Sequence, residues 1–264
     1  QSRSSAASDV YKRQDGEILY TNKIVSMSEK EKVCIVTGVG PDKGTGAEIA
    51  KLFGKKKYKV AMIARNKKNL NDLEKKYKNI FSYPCDVGDL EKFKKTLKKI
   101  KNNLGPADVV IHNAPSASRG SILKLNPDDL ELNFRVNTTA LLHLVRETLP
   151  SMLSKKKGSI LITGNTAATR GKSHWGFFAS TKAAQRILAE SIAREFGPKG
   201  IHVAYFIIDA AIDTPRTRPY MQPDKPDDYF SKPTAIAEEM YKTVLQDKST
   251  WSFRVELRPF GETW

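Results

Sequence analysis

Four of the nine residues from Gly38 to Gly46 are glycine: Gly38, Gly40, Gly44 and Gly46. They follow the apolar run Val33–Thr37 and precede a stretch with Ile49, Leu52 and Phe53 at i, i+3, i+4 spacing. In that order the residues read as strand, loop and helix. Glycines in such a loop permit a tight turn, let backbone approach a phosphate closely, and let the helix pack on the strand. The first turn of the helix then offers free N–H groups to the anion. Four glycines exceed what an ordinary connection requires, so the chemistry expected here is the binding of a dinucleotide pyrophosphate.

A second run, Val60–Ala64, ends in Ala64-Arg65-Asn66. A site for NAD usually carries Asp or Glu there, to accept hydrogen bonds from the ribose 2′-hydroxyl. Here Arg65 follows Ala64, and Lys43 stands in the glycine loop opposite. A guanidinium and an ammonium suit a 2′-phosphate, which a carboxylate would repel. This charge pattern predicts NADP(H) rather than NAD(H).

Elements able to hold these groups recur along the chain. Further β-branched runs lie at Ile80–Tyr83, Asp108–His112, Ser159–Thr163, His202–Ile208 and Phe253–Leu257. Several are almost continuously apolar, as parallel strands covered on both faces are. Amphipathic patterns alternate with them, including Leu90, Phe93, Leu97 and Ile100, and an apolar face over 181–196 that Gly197-Pro198 ends. The expected fold is α/β, a doubly wound Rossmann-type parallel sheet of about seven strands in one domain over residues 29–264. Residues 1–28 precede it as a disordered or non-native extension. The irregular segment 213–231, rich in Pro, Asp and Arg, has the length of a binding lid.

Composition limits the alternatives. The formal charge is +16, but the lysines are scattered at helical spacing without interleaved aromatics, so specific nucleic-acid binding is not expected. No apolar run approaches the ~18 residues of a membrane helix. Cys34 and Cys85 are too few for a disulfide framework and form no Cys/His cluster for a metal. They read as buried thiols in a reducing, cytoplasmic setting.

Taken together, the residues resemble the short-chain dehydrogenase/reductase superfamily from Lys32 to Leu257. Beside the glycine loop stand Asp86-Val87 after the third strand, His112-Asn113-Ala114-Pro115 after the fourth, Asn137 in Phe-Arg-Val-Asn-Thr-Thr-Ala, and Lys182 starting the helix after the fifth strand. The resemblance implies that Asp86 and Val87 hold adenine, that Asn113 and Ala114 line the adenosine ribose, and that Lys182 grips the nicotinamide ribose. Thr214 would contact the nicotinamide carboxamide, with Ile212 beside it in Ile-Asp-Thr-Pro. It also implies homodimers or homotetramers packed through the helices containing Asn137 and Lys182, and a small-molecule substrate.

The departures are chemical. The family's catalytic tyrosine precedes the lysine in YxxxK, and here that position is Phe178. The serine position is Asn165. HNAP replaces the usual NNAG, Asp209-Ala210 the usual Pro-Gly, and the glycine loop is two residues longer. With the ending ELRPFGETW, these traits look like an atypical subgroup with Phe for Tyr and the lysine retained. Carbonyl reduction needs a hydride on carbon and a proton on the developing alkoxide, and loss of a positioned general acid costs about 10²- to 10⁴-fold. Asn165 can restore the oxyanion donor through its amide. The acid must come from elsewhere: His174, Lys182, Tyr205, Tyr220 and Asp209 are candidates, while Asn137 supports the helix kink. The expected function is an NADP(H)-dependent oxidoreductase with a non-standard site. The competing one is a dinucleotide-binding regulator or scaffold without turnover.

Overall fold

The computed structural model describes residues 31–262, the side chains of Tyr220 and Met221 excepted. The extension at 1–28 and the Tyr220 hydroxyl therefore lie outside the described residues. Val33–Thr37 forms β1, buried at all five positions. Around it lie β2 (Lys59–Ala64), β3 (Ile80–Pro84), β4 (Val109–His112), β5 (Gly158–Gly164) and β6 (Ile201–Ile208). A parallel two-residue pair, β7 (Ala211–Ile212) with β8 (Phe230–Ser231), stands apart, and β9 (Arg254–Leu257) closes the main sheet. The seven-stranded order is β3-β2-β1-β4-β5-β6-β9, parallel throughout.

Alternate strand residues feed two cores, as the period of two requires. On one face Ile35 and Val110 pack with α3 (Leu90–Leu104), α5 (Ala140–Ser154) and α6 (Gly176–Phe196). On the other, Cys34, Val36 and Ile111 pack with α1 (Thr45–Lys55), α2 (Lys67–Lys76) and α8 (Pro233–Val244). This is the doubly wound Rossmann-type sheet that the alternation of runs and amphipathic stretches implies. Both cysteines are buried free thiols.

Three elements differ from the sequence expectation. α6 begins at Gly176, so Lys182 sits nearly two turns inside the helix rather than at its start, and Phe178 lies one turn before it. Asn137 lies in a π-helical turn, Arg135–Thr139, between α4 (Pro127–Phe134) and α5. The segment 213–231 is not wholly irregular: it holds α7 (Thr217–Met221) and a 3₁₀ turn at Asp227–Tyr229 before β8. Among the described residues no helix is long and apolar enough to cross a membrane.

Candidate cofactor and active site

The strand order reverses between β1 and β4, which opens a crevice beyond the carboxyl ends of the strands. Gly38 turns the chain there with φ +71°, a conformation that L side chains rarely adopt. A Cβ at Gly38 would lie 2.5 Å from Ala114 Cα, and one at Gly46 would lie 2.6 Å from the Gly38 carbonyl oxygen. These two glycines therefore let the loop sit on the Asn113-Ala114 turn, where Asn113 Nδ2 donates to Gly38 O at 3.0 Å. Gly40 differs: nothing lies within 4 Å of its Cβ position, and the residue lines the crevice. A side chain there would enter the space that a pyrophosphate requires. Asn66, Asp89 and Asn126 cap α2, α3 and α4 through their side chains, whereas Gly44 before α1, like Trp175 before α6 and Lys232 before α8, makes no side-chain cap. The first turn of α1 lines the crevice, where an anion could accept from its amides.

The crevice has two parts. One, of about 410 Å³, is lined by Arg65, Asn66, Asn69, Asp86 and Val87. Asp86 uses Oδ1 to accept from Gly88 N at 2.9 Å. Lys43 does not join Arg65 there. It is exposed with φ +67°, and its neighbour Asp42 is anchored by Lys51 Nζ at 2.8 Å and Lys76 Nζ at 2.7 Å. That clip fixes the glycine loop and leaves the Lys43 side chain in solvent, so Lys43 does not line this part of the crevice opposite Arg65 as expected from sequence.

The other part, of about 340 Å³, is lined by Asn165, Phe178, Lys182, Ile212 and Thr214. Gly38, Gly40, Ala114, Pro115 and Arg216 line both parts and join them. Lys182 is 4% exposed. Its Nζ donates to the Thr163 carbonyl at 2.8 Å and to Gln185 Oε1. Burial without an acidic partner pushes its pKa down to about 7. Gln185 in turn donates Nε2 to the Asn137 carbonyl at 2.6 Å. The Asn137 side chain holds Ser116 by both its amide and its carbonyl oxygen, at 2.8 and 2.9 Å, and donates to Thr181 Oγ1 at 2.9 Å. Asn165 lines the crevice and accepts from Ala167 N at 3.2 Å through Oδ1, and its NH₂ makes no hydrogen bond among the described residues.

Three of the proposed acids are placed elsewhere or spent. The His174 side chain is exposed, at φ +65°, and does not line the crevice. Tyr205 is buried in the core and donates to Gln185 Oε1 at 3.2 Å, and burial raises its pKa. Asp209 is paired with Arg258. Thr214 accepts from Thr217 N at 3.0 Å, which starts α7.

His112, which the sequence offers only as part of HNAP, proves to be a buried strut. The Val136 carbonyl can only accept, so Nε2 carries the proton and donates to it at 3.1 Å. Nδ1 then accepts from Thr37 Oγ1 at 3.1 Å, and that hydroxyl oxygen accepts from Asn113 N and Ala114 N at 3.1 and 3.3 Å. Gln185 and His112 both bond partners far away in the chain. Neither spacing nor composition marks such contacts.

A seven-stranded parallel sheet with its crevice at the reversal, walled by a glycine loop and an uncapped helix, defines a Rossmann-type α/β domain. Residues 32–224 match the model of the short chain dehydrogenase family, and the chain belongs to that family. It is similar to an uncharacterised oxidoreductase of Staphylococcus aureus, 25% identical over 231 residues, which are 87% of this chain and 97% of the relative. A metagenomic short-chain oxidoreductase in complex with NADP superposes with a TM-score of 0.74 at 22% identity, over 86% of this chain and 97% of that one. An alcohol dehydrogenase from Thermococcus sibiricus complexed with 5-hydroxy-NADP gives 0.75 at 24%, over 88% and 98%.

Proposed function

We propose that this protein is an NADP(H)-dependent oxidoreductase that reduces a carbonyl or similar acceptor at a site lacking the usual serine and tyrosine. The carrying observation is a pair of adjoining cavities, one reaching Arg65 and the other Lys182, that share Gly38, Gly40, Ala114, Pro115 and Arg216 as walls, with open space at the Cβ position of Gly40. The residues fit the cofactor: Gly40 leaves room, α1 leaves its amides open, and Arg65 supplies charge for the 2′-phosphate. Relatives in complex with NADP support the same choice. Bound NADPH would supply the hydride.

The chain supplies the rest. Asp86 and Val87 hold adenine, Asn113 and Ala114 line its ribose, and Ile212 and Thr214 flank the nicotinamide side. Phe178 stands at the tyrosine position of YxxxK and excludes water without offering a proton. Asn165 stands at the serine position and donates its amide to the substrate oxygen. Lys182 holds the proton that this oxygen takes, since its pKa near 7 leaves it part protonated at neutral pH. His174 is too far out to share that task. The protein would work as a homodimer or homotetramer through α5 and α6, where Leu142 and Ile187 are exposed, and in the cytoplasm, where free Cys34 and Cys85 stay reduced.

A second reading, dinucleotide binding without turnover, is favoured by Phe178 itself, because a phenyl ring one helical turn before Lys182 removes the acid. Titration with NADPH and NADH, followed by nicotinamide fluorescence, tests the cofactor. NADPH should bind more tightly, and Arg65→Ala should weaken NADPH about tenfold while sparing NADH. Equal affinity for both would remove the 2′-phosphate assignment. Turnover of a carbonyl panel abolished by Lys182→Ala separates enzyme from scaffold.

A further inference from the structure

Arg216 and Arg218 lie two residues apart between β7 and β8, yet their charges are used differently. Arg218 is spent inside the segment. Its Nε and Nη2 fork onto Asp213 at 2.8 and 3.2 Å, and Nη1 meets Asp227 at 2.9 Å. Its guanidinium also lies 4.2 Å from the centroid of the Phe230 ring, in β8. Together these contacts staple the segment to β8 and consume the nearby carboxylates.

Arg216 makes no hydrogen bond or ion pair among the described residues. It lines both parts of the crevice. A guanidinium without a carboxylate, held where two cavities meet, is a ready anion site. Which anion follows from position. Arg65 lines only the adenosine part and Lys182 only the other part. A group that spans both parts is the diphosphate joining the two nucleosides, whereas a 2′-phosphate or a substrate would occupy one.

We propose that Arg216 binds the cofactor's diphosphate, supplying from the β7–β8 segment a cation at the crevice that the glycine loop, whose Lys43 lies in solvent, does not bring there. This rests on the NADP(H) reading above, and the same experiment separates the two. The probes are NADPH, NADH and adenosine 2′-monophosphate, which keeps the 2′-phosphate but has no phosphate at the 5′ position. Dissociation constants are measured for the wild type, Arg216→Ala, Arg216→Lys and Arg65→Ala.

Arg216→Ala should weaken NADPH and NADH alike, by about tenfold, as expected for one charge-assisted phosphate contact. It should leave adenosine 2′-monophosphate unchanged. Arg216→Lys should recover part of the loss, and the loss should shrink as salt is raised. Arg65→Ala should give the complementary pattern, sparing NADH. Because Arg216 is exposed and unbonded, the melting temperature of its variants should match the wild type, so lost affinity is not lost fold. A loss confined to NADPH and adenosine 2′-monophosphate would move Arg216 to the 2′-phosphate and overturn the proposal. So would affinities that stay level for all three probes. A wild type that bound no probe would instead overturn the NADP(H) reading, and this inference with it.

Discussion

The walls of the crevice at the glycine loop and those around Lys182 are built from different materials. At the glycine loop they are made largely of backbone: the Gly38 turn, the start of α1 and the Asn113-Ala114 turn. Around Lys182, Asn165 and Phe178 are side chains, and each can be exchanged singly without moving a strand. Phe178 occupies a helical position on which the fold makes no polar demand, and it is 8% exposed beside Trp175, with ring centroids 5.8 Å apart. A binding site of backbone persists as long as its turn does, whereas a proton donor can be lost by one substitution. On the proposed reading, the contrast accounts for a dinucleotide cradle standing next to a reaction centre without its usual acid.

The largest effect should come from attacking the backbone part. Gly38→Val puts a β-branched residue at φ +71° and its Cβ against Ala114 backbone. Left-handed strain and overpacking together should cost about 3 kcal/mol or more. Gly40→Ala meets no protein atom within 4 Å, so unfolding should move by no more than about 0.5 kcal/mol, while NADPH affinity falls about tenfold as the methyl fills the cradle. Urea unfolding and NADPH titration of the two variants give opposite patterns if the division is right. Equal loss of stability in both would mean that the whole loop, and not one turn in it, is under strain.

A smaller effect should come from restoring the side-chain part. Phe178→Tyr, combined with Asn165→Ser, should raise carbonyl turnover about 10²-fold, the low end of what a positioned general acid contributes. NADPH affinity should stay unchanged, since neither residue lines the adenosine part. An unchanged rate with intact binding would place the limitation elsewhere, and would strengthen the reading of a binder without turnover.

These halves were unequally legible. The glycine loop could be read because a left-handed turn and a close helix approach dictate residue type at fixed positions. Arg65 could be placed at the crevice because it directly follows β2, whose carboxyl end opens onto it. Lys43 could not, since its direction depends on Asp42 being tied to Lys51 in α1 and Lys76 in α2. Nor could the start of α6, where Gly176, Phe177 and Phe178 have weak helix propensity and tertiary packing decides. Gln185 reads as one more polar residue on a helix until the fold puts Lys182 and the Asn137 carbonyl on either side of its amide. Chemistry that works through contacts distant in sequence leaves no spacing to detect.

His112 joins the halves, and its titration tests whether they are mechanically one. It bonds Thr37 at the end of β1 and the Val136 carbonyl beside Asn137, fully buried in both directions. Burial, with Lys182 nearby adding repulsion, pushes its pKa down to about 3. The folded value thus lies below the ~6.5 of an unfolded histidine. As pH falls below 6.5 the unfolded chain takes a proton that the folded chain refuses, so stability is full above 6.5 and drains away toward 3. The slope is about 1.4 kcal/mol per pH unit, or about 2 kcal/mol between pH 6.5 and 5. His112→Asn removes the titrating ring, so its urea unfolding free energy should fall less steeply over that range than the wild type's. At pH 7 the variant should lose about 1 kcal/mol for a poorer bridge. Parallel slopes for the two proteins would mean that the folded ring accepts a proton, which requires the Thr37–His112–Val136 strut to open. The glycine turn and the Lys182 cavity would then move independently, and the halves would be neighbours in the fold without being coupled.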